Sequence, residues 1–189
     1  MKILILDDEP LIVAGLAACL SEHETIVAYS GYEALQKARE CVPDLMLIDI
    51  NLPDISGIDV VAKLEEERTC PTIFLTAYSD RGILERAKKL KGVHGYLVEP
   101  IDERSLKTTI EISVAKFHEQ TETTLELAKA KQSLAERKII ERAKGIVMEQ
   151  MKLTEPQAMK FLQEKSKNSN RKLVDTAKYV IDFFSGSTL

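Results

Sequence analysis

Residues 1–100 alternate short, continuously apolar runs with amphipathic stretches, and this pattern constrains the fold more than any other feature. The runs are Lys2–Leu6, Thr25–Ala28, Leu45–Ile48, Thr72–Leu75 and Gly95–Val98. Unbroken apolar strands suit a parallel sheet that is covered on both faces. The stretches between them, Pro10–Ser21, Tyr32–Cys41, Gly57–Glu66 and Asp80–Leu90, carry a helical period. Repeated strand–helix units predict a doubly wound α/β domain with a five-stranded parallel sheet. In such sheets chemistry sits beyond the carboxyl ends of the strands.

After Asp102 the strand pattern stops. Glu103 to about Met151 reads as one long helix with no Pro and a single internal Gly, Gly145. Leu106, Ile110, Ser113, Phe117, Gln120, Thr124, Leu127, Lys131 and Leu134 follow heptad spacing, but only part of this seam is apolar. It describes either a weak coiled coil or a solvated connecting helix. Thr154-Glu155-Pro156 starts a further helix, with Thr154 as N-cap and Pro just inside; Ala158, Phe161, Leu162 and Lys165 carry its face. Asn168-Ser169-Asn170 reads as a break. A last helix presents Leu173, Ala177, Val180, Ile181 and Phe184 on one side. The expected division is 1–120, a helical or coiled-coil linker 121–133, a small domain 134–184, and a disordered tail 185–189.

Charge divides the chain in the same way. Residues 1–125 hold 13 Lys/Arg against 22 Asp/Glu, and residues 126–189 hold 13 against 8. A basic second part suits an anionic polymer, although an ordinary helical surface rich in Lys would look the same. Trp is absent and aromatics are 5% of the chain, which argues against a surface of many stacked aromatics. Cys19, Cys41 and Cys70 have no metal-ligand spacing and read as reduced, mostly buried thiols of a cytoplasmic protein. The apolar start Ile3–Leu6 is too short for a signal peptide or a membrane span.

Polar residues cluster where the sheet rule puts chemistry. Asp7-Asp8-Glu9 follows the first strand, Asp49-Ile50-Asn51 the third and Thr76-Ala77 the fourth. Strands one and three are neighbours in this topology, so their carboxylates converge. Several carboxylates with waters and a phosphate oxygen form the ligand set that Mg²⁺ prefers. Asp49 is then the candidate nucleophile for an aspartyl phosphate, and the Thr76 hydroxyl would bond a phosphoryl oxygen.

With Asp7-Asp8, Asp49 before Asn51-Leu52-Pro53-Asp54 and Gly57, Thr76-Ala77, Tyr96 and Pro100, residues 1–120 resemble the receiver domain of bacterial response regulators. The resemblance implies a flavodoxin-like fold and a sensor histidine kinase as phosphodonor. It implies that Asp7, Asp49 and the main-chain carbonyl of Asn51 ligate Mg²⁺, with Asp8 acting directly or through water. Asp49 would be the phosphoacceptor, and Thr76 and Tyr96 the switch pair, Tyr96 turning inward as Thr76 moves to the phosphoryl group. One residue departs: where the family carries Lys before the proline, this chain has Glu99. Three outcomes are open: another base substitutes, the phosphoryl state is poorly stabilised, or Glu99 swings away. Lys88, Lys89 and Lys91 are expected in the preceding helix, facing solvent.

Further on, Leu134, Arg137, Ile140-Glu141, Ala143-Lys144-Gly145-Ile146-Val147-Met148, Ala158, Phe161-Leu162 and Asn170-x-Lys172-Leu173-x-Asp175-x-Ala177 resemble the ANTAR output module. That family implies a three-helix all-α unit that binds RNA in transcription antitermination, as a dimer on paired leader hairpins. Arg137, Lys138, Arg142 and Lys144 bunch within two helical turns, and Asn170, Arg171 and Lys172 sit at a helix start. Arg planes and Asn amides reach the edges of unstacked loop bases. Gly145 costs a helix about 1 kcal/mol relative to Ala, which suits close approach of another helix or a nucleotide backbone. The expected protein is a phosphorylation-controlled RNA-binding antiterminator, homodimeric when active, without membrane contact and not an enzyme. The alternatives are a DNA-binding regulator, disfavoured because no helix–turn–helix pattern is evident, and a dimeric adaptor with an uncoupled receiver.

Overall fold

The computed structural model describes residues 1–77, 85–87 and 89–185. Most of the expected Asp80–Leu90 helix, Lys88 and the tail from residue 186 onward lie outside the described residues. The chain divides into two compact units, Met1–Thr121 and Glu122–Leu189.

In the first unit, strands β1 (Lys2–Leu6), β2 (Glu24–Ala28), β3 (Leu45–Asp49), β4 (Thr72–Thr76) and β5 (Val93–Val98) form one sheet in the order β2-β1-β3-β4-β5. Every pairing is parallel. Helices α1 (Pro10–Cys19), α2 (Gly31–Cys41) and α3 (Gly57–Glu67) connect the strands. Alternation sends successive residues to opposite faces, so Leu4, Leu6, Met46, Ile48 and Phe74 join one core with α2 and α3. Ile3, Ile5, Leu45, Leu47, Ile73 and Leu75 join a second core with α1. Of the cysteines only Cys70 is buried; Cys19 and Cys41 are half-buried, and all three are free thiols. Burial pushes the Cys70 thiol up to about 12, with Asp44 adding to the shift and Arg68 opposing it.

Helix α4 (Glu103–Met151) is unbroken over 49 residues. Its first turns do not form a seam: Leu106, Ile110 and Ser113 are buried, the two apolar ones in the core beside α1. They are occupied by the sheet and unavailable to a second helix. Residues 118–135 are exposed throughout. Leu127 and Leu134 are the only apolar members of the expected heptad seam in that stretch.

In the second unit the end of α4 packs with α5 (Glu155–Ser169) and α6 (Leu173–Ser185). Ala143, Val147, Ala158, Leu162, Ala177 and Val180 form its buried centre. The main-chain N–H and the hydroxyl of Thr154 both donate to Gln157 Oε1, at 2.9 and 2.8 Å, fixing the start of α5. Helix α5 continues through Asn168 and Ser169, so the break is narrower than the sequence suggests. Asn170, in the left-handed region at φ 51°, closes it, a conformation Asn tolerates better than most residues.

Candidate functional site

Asp7 follows β1 and Asp49 ends β3. Because Leu6 pairs with Ile48, both carboxylates emerge at one edge of the sheet. Asp7, Asp8 and Asp49 each offer an oxygen within 4.8 Å of the others. Asp7 is 2% exposed, and its Oδ1 accepts the Glu9 N–H at 2.8 Å. Burial pushes the Asp7 carboxyl up to about 6; the Glu9 N–H opposes this, while the negative charges of Asp49, Asp8 and Glu9 add to it. Asp49 is also raised, by burial first, then by Glu99 and Asp8, against main-chain N–H bonds from Asn51 and Ile50. A close set of carboxylates whose ionised form is held at a cost is the donor chemistry of a hard divalent cation, and Mg²⁺ fits it.

The negative charge of Glu99 adds to the raising of the Asp49 carboxyl, and Glu99 is itself raised by burial and then by Asp7 and Glu9. Its N–H donates to Thr76 O at 3.2 Å, which ties the β5 end to the β4 end. Lys89 and Lys91 are exposed and sit in the turn and bend before β5, not in a helix. No ion pair joins Asp7, Asp8, Asp49 or Glu99 to a base among the described residues.

Thr76 ends β4 beside this edge, its hydroxyl donating to the Ala77 carbonyl at 3.2 Å. Tyr96 is half-buried within β5 and already turned inward, its ring centroid 6.1 Å from that of Phe74. Two features carry structural duties that the motif alone does not reveal. Asp54 accepts the N–H groups of Gly31 and Tyr32, both at 3.0 Å, and so caps α2 from the β3–α3 loop. A Cβ on Gly57 would lie 2.1 Å from the Asp49 carbonyl oxygen and 2.7 Å from Ile48 Cγ2. Only glycine lets the loop pass so close to the phosphoacceptor candidate.

In the second unit the candidate bases separate into two groups. Arg137, Lys138 and Arg142 are exposed on α4. Lys144 is tied down: its ammonium meets Glu141 at 2.6 Å and Glu155 at 2.7 Å, with the side chain 13% exposed. Gly145 is exposed, and a Cβ there would meet nothing within 4 Å, so no helix of this unit approaches it. Asn170, Arg171 and Lys172 line a cleft of about 450 Å³ with Gln163 and Lys167. Arg171 also lines a second cavity, between α5 and α6, that sequence reasoning missed. Its signal was the spacing of Tyr179 and Phe183 on one face of the last helix.

The response regulator receiver domain family matches residues 3–111, and the ANTAR domain family matches residues 128–181. The chain is 34% identical to the transcriptional regulatory protein PdtaR of Mycobacterium tuberculosis over 184 residues, covering 96% of this chain and 89% of that protein. It is 45% identical to the polar-differentiation response regulator DivK of Brucella ovis over 84 residues, 43% of this chain and 68% of that one. Among solved structures, chemotaxis protein CheY4 of Vibrio cholerae superposes with a TM-score of 0.55 at 26% identity, covering 58% of this chain and 95% of that one. No described helix is long and apolar enough to cross a membrane.

Proposed function

Because the chain belongs to the response regulators that join a receiver to an ANTAR domain, we propose that it is a phosphorylation-controlled RNA-binding transcription antiterminator of the cytoplasm. The observation that carries this is the presence, in one chain, of an acidic triad at a receiver sheet edge and of an ANTAR unit with exposed bases. Mg²⁺ held by Asp7, Asp8, Asp49 and the Asn51 carbonyl supplies charge that offsets the repulsion between the carboxylates and an incoming phosphoryl group. An Asp49 carboxylate oxygen attacks the phosphorus of a sensor kinase phosphohistidine. The P–N bond breaks, the imidazole leaves with a proton, and an acyl phosphate forms. Thr76 then donates its hydroxyl to a phosphoryl oxygen, and Tyr96 holds the inward position. The reaction is self-modification and its hydrolysis, not turnover of a metabolite.

The receiver surface at the start of α4 then favours dimerisation through the exposed stretch of α4. Paired outputs bind tandem leader hairpins through Arg137, Lys138, Arg142 and the 170–172 cleft. Glu99 favours a second reading, in which RNA binding is uncoupled from phosphorylation. The test is retention of a labelled two-hairpin leader RNA with and without acetyl phosphate and Mg²⁺, for wild type and Asp49→Ala. Tighter binding with the phosphodonor, lost in Asp49→Ala, supports the coupled switch. Equal binding in all four conditions supports the uncoupled receiver. Absence of binding throughout refutes the RNA reading.

A further inference from the structure

Every aromatic residue after position 134 lines one cavity, about 540 Å³ in volume, between α5 and α6. That volume is within the range of clefts that hold a small planar ligand. Tyr179 and Phe183, one turn apart on α6, stack at 6.3 Å between centroids and 25° between planes, yet stay 60% and 57% exposed. Lys165 Nζ stands 5.7 Å from the Phe161 ring centroid on the opposite wall. Arg171 joins the cavity to the neighbouring basic cleft. No carboxylate lines the cavity among the described residues. Thr176, also in its lining, is 5% exposed, and its hydroxyl is buried without a hydrogen-bond partner among the described residues. A buried hydroxyl left unmet costs about 1–3 kcal/mol, so it marks a place where a donor or acceptor is missing.

We propose that this cavity captures an unstacked loop base of the bound RNA. Tyr179 and Phe183 supply the stacking surface, Lys165 and Arg171 meet the flanking phosphates, and Thr176 meets the base edge. This assignment rests on the RNA-binding reading above and adds the side chains that distinguish a loop from a duplex. Aromatic faces beside cations are the means by which proteins hold single-stranded bases. A second copy of the chain fits the same surface poorly. A two-fold contact sets a patch against itself, and the lining of this one brings two cations and no carboxylate to meet them.

The experiment uses the full chain and a hairpin RNA with 2-aminopurine at successive loop positions, which reports base stacking by its fluorescence. Wild type is expected to change the fluorescence at one loop position. Tyr179→Leu with Phe183→Leu is expected to abolish that signal and weaken binding about 5- to 150-fold, the loss of one base stacked on an aromatic surface. The dependence on salt should stay the same, because no charge is removed. Arg171→Gln should lower the salt slope by about 0.7, the value for one single-strand phosphate contact. Tyr179→Phe should bind like wild type, which separates stacking from misfolding. Thr176→Val should weaken binding roughly 2- to 10-fold without lowering thermal stability. If wild type binds RNA and the double leucine variant binds equally with the same fluorescence, the pocket assignment is overturned while the RNA reading stands. If wild type retains no RNA, the RNA reading itself fails. If the double variant loses affinity only together with self-association on sedimentation, the surface belongs to a second copy and the assignment is overturned.

Discussion

Gly145→Ala should stabilise the output domain and weaken its contact with RNA. Gly145 lies well inside α4, and no glycine of the described chain has a positive φ, so its backbone already has a conformation that Ala prefers. An added Cβ meets nothing within 4 Å, so no packing penalty offsets the gain in helix propensity. That gain is about 0.8–1.0 kcal/mol, part of it from reduced freedom of the unfolded chain. For a domain of this size it corresponds to roughly 4–8 °C in midpoint. Scanning calorimetry on the full chain reads it as a shift of the output-domain transition, with the receiver transition as internal control, since a two-unit chain need not melt in one step. The glycine costs stability that the fold does not require, which is explained if a nucleotide backbone passes over it. RNA affinity should therefore fall several-fold while the midpoint rises. An unchanged or lower midpoint refutes the open-face argument. A raised midpoint with unchanged RNA affinity removes Gly145 from the contact surface.

Gly57→Ala should do the opposite, because its Cβ would meet the Asp49 carbonyl oxygen at 2.1 Å. We expect a loss of about 1–3 kcal/mol in urea unfolding, with reduced acetyl phosphate labelling of the folded fraction. Glu99→Lys reverses a charge that spans about 8 kcal/mol at 4 Å and an effective dielectric near 20. Even after a several-fold discount for screening, the phosphorylated fraction on a phosphate-affinity gel should rise at least tenfold; an unchanged fraction shows that Glu99 does not reach the phosphoryl group. Asp7 is a carboxyl with a raised folded value of about 6, so the folded state binds the extra proton. Without metal, stability is then highest below the usual carboxylate range and falls by about 3 kcal/mol as pH rises from about 4 to 6. Asp7→Asn should reduce that fall in EDTA melts, leaving the share carried by the raised Asp49 and Glu99 carboxyls, and saturating Mg²⁺ should reverse it in wild type. An identical pH profile for the variant refutes the assignment to Asp7.

The sequence by itself determined the α/β unit, its strand bounds to within two residues, the long helix and the helices that follow. Those features depend on local periods of two and 3.6 and on local signals such as Thr154 and Pro156. It also determined which residues belong to the acidic edge, since strand order alone brings Asp7 and Asp49 together. What only the tertiary structure decided depends on contacts between distant segments. The heptad spacing of Leu106, Ile110 and Ser113 fits a coiled coil and a sheet-packing helix equally well, and the sheet takes them. Lys144 looks like a free base until Glu155 of the next helix meets it. Asp54 belongs to a receiver motif in sequence but caps α2, 22 or 23 residues away. The tie between the ends of β4 and β5 came from the Thr76 carbonyl accepting the Glu99 N–H, and the aromatic cavity from two helices whose facing residues share no local pattern. Periodicity reports which face of an element is buried; what covers that face, and what charge lies opposite, is set only when the chain folds back on itself.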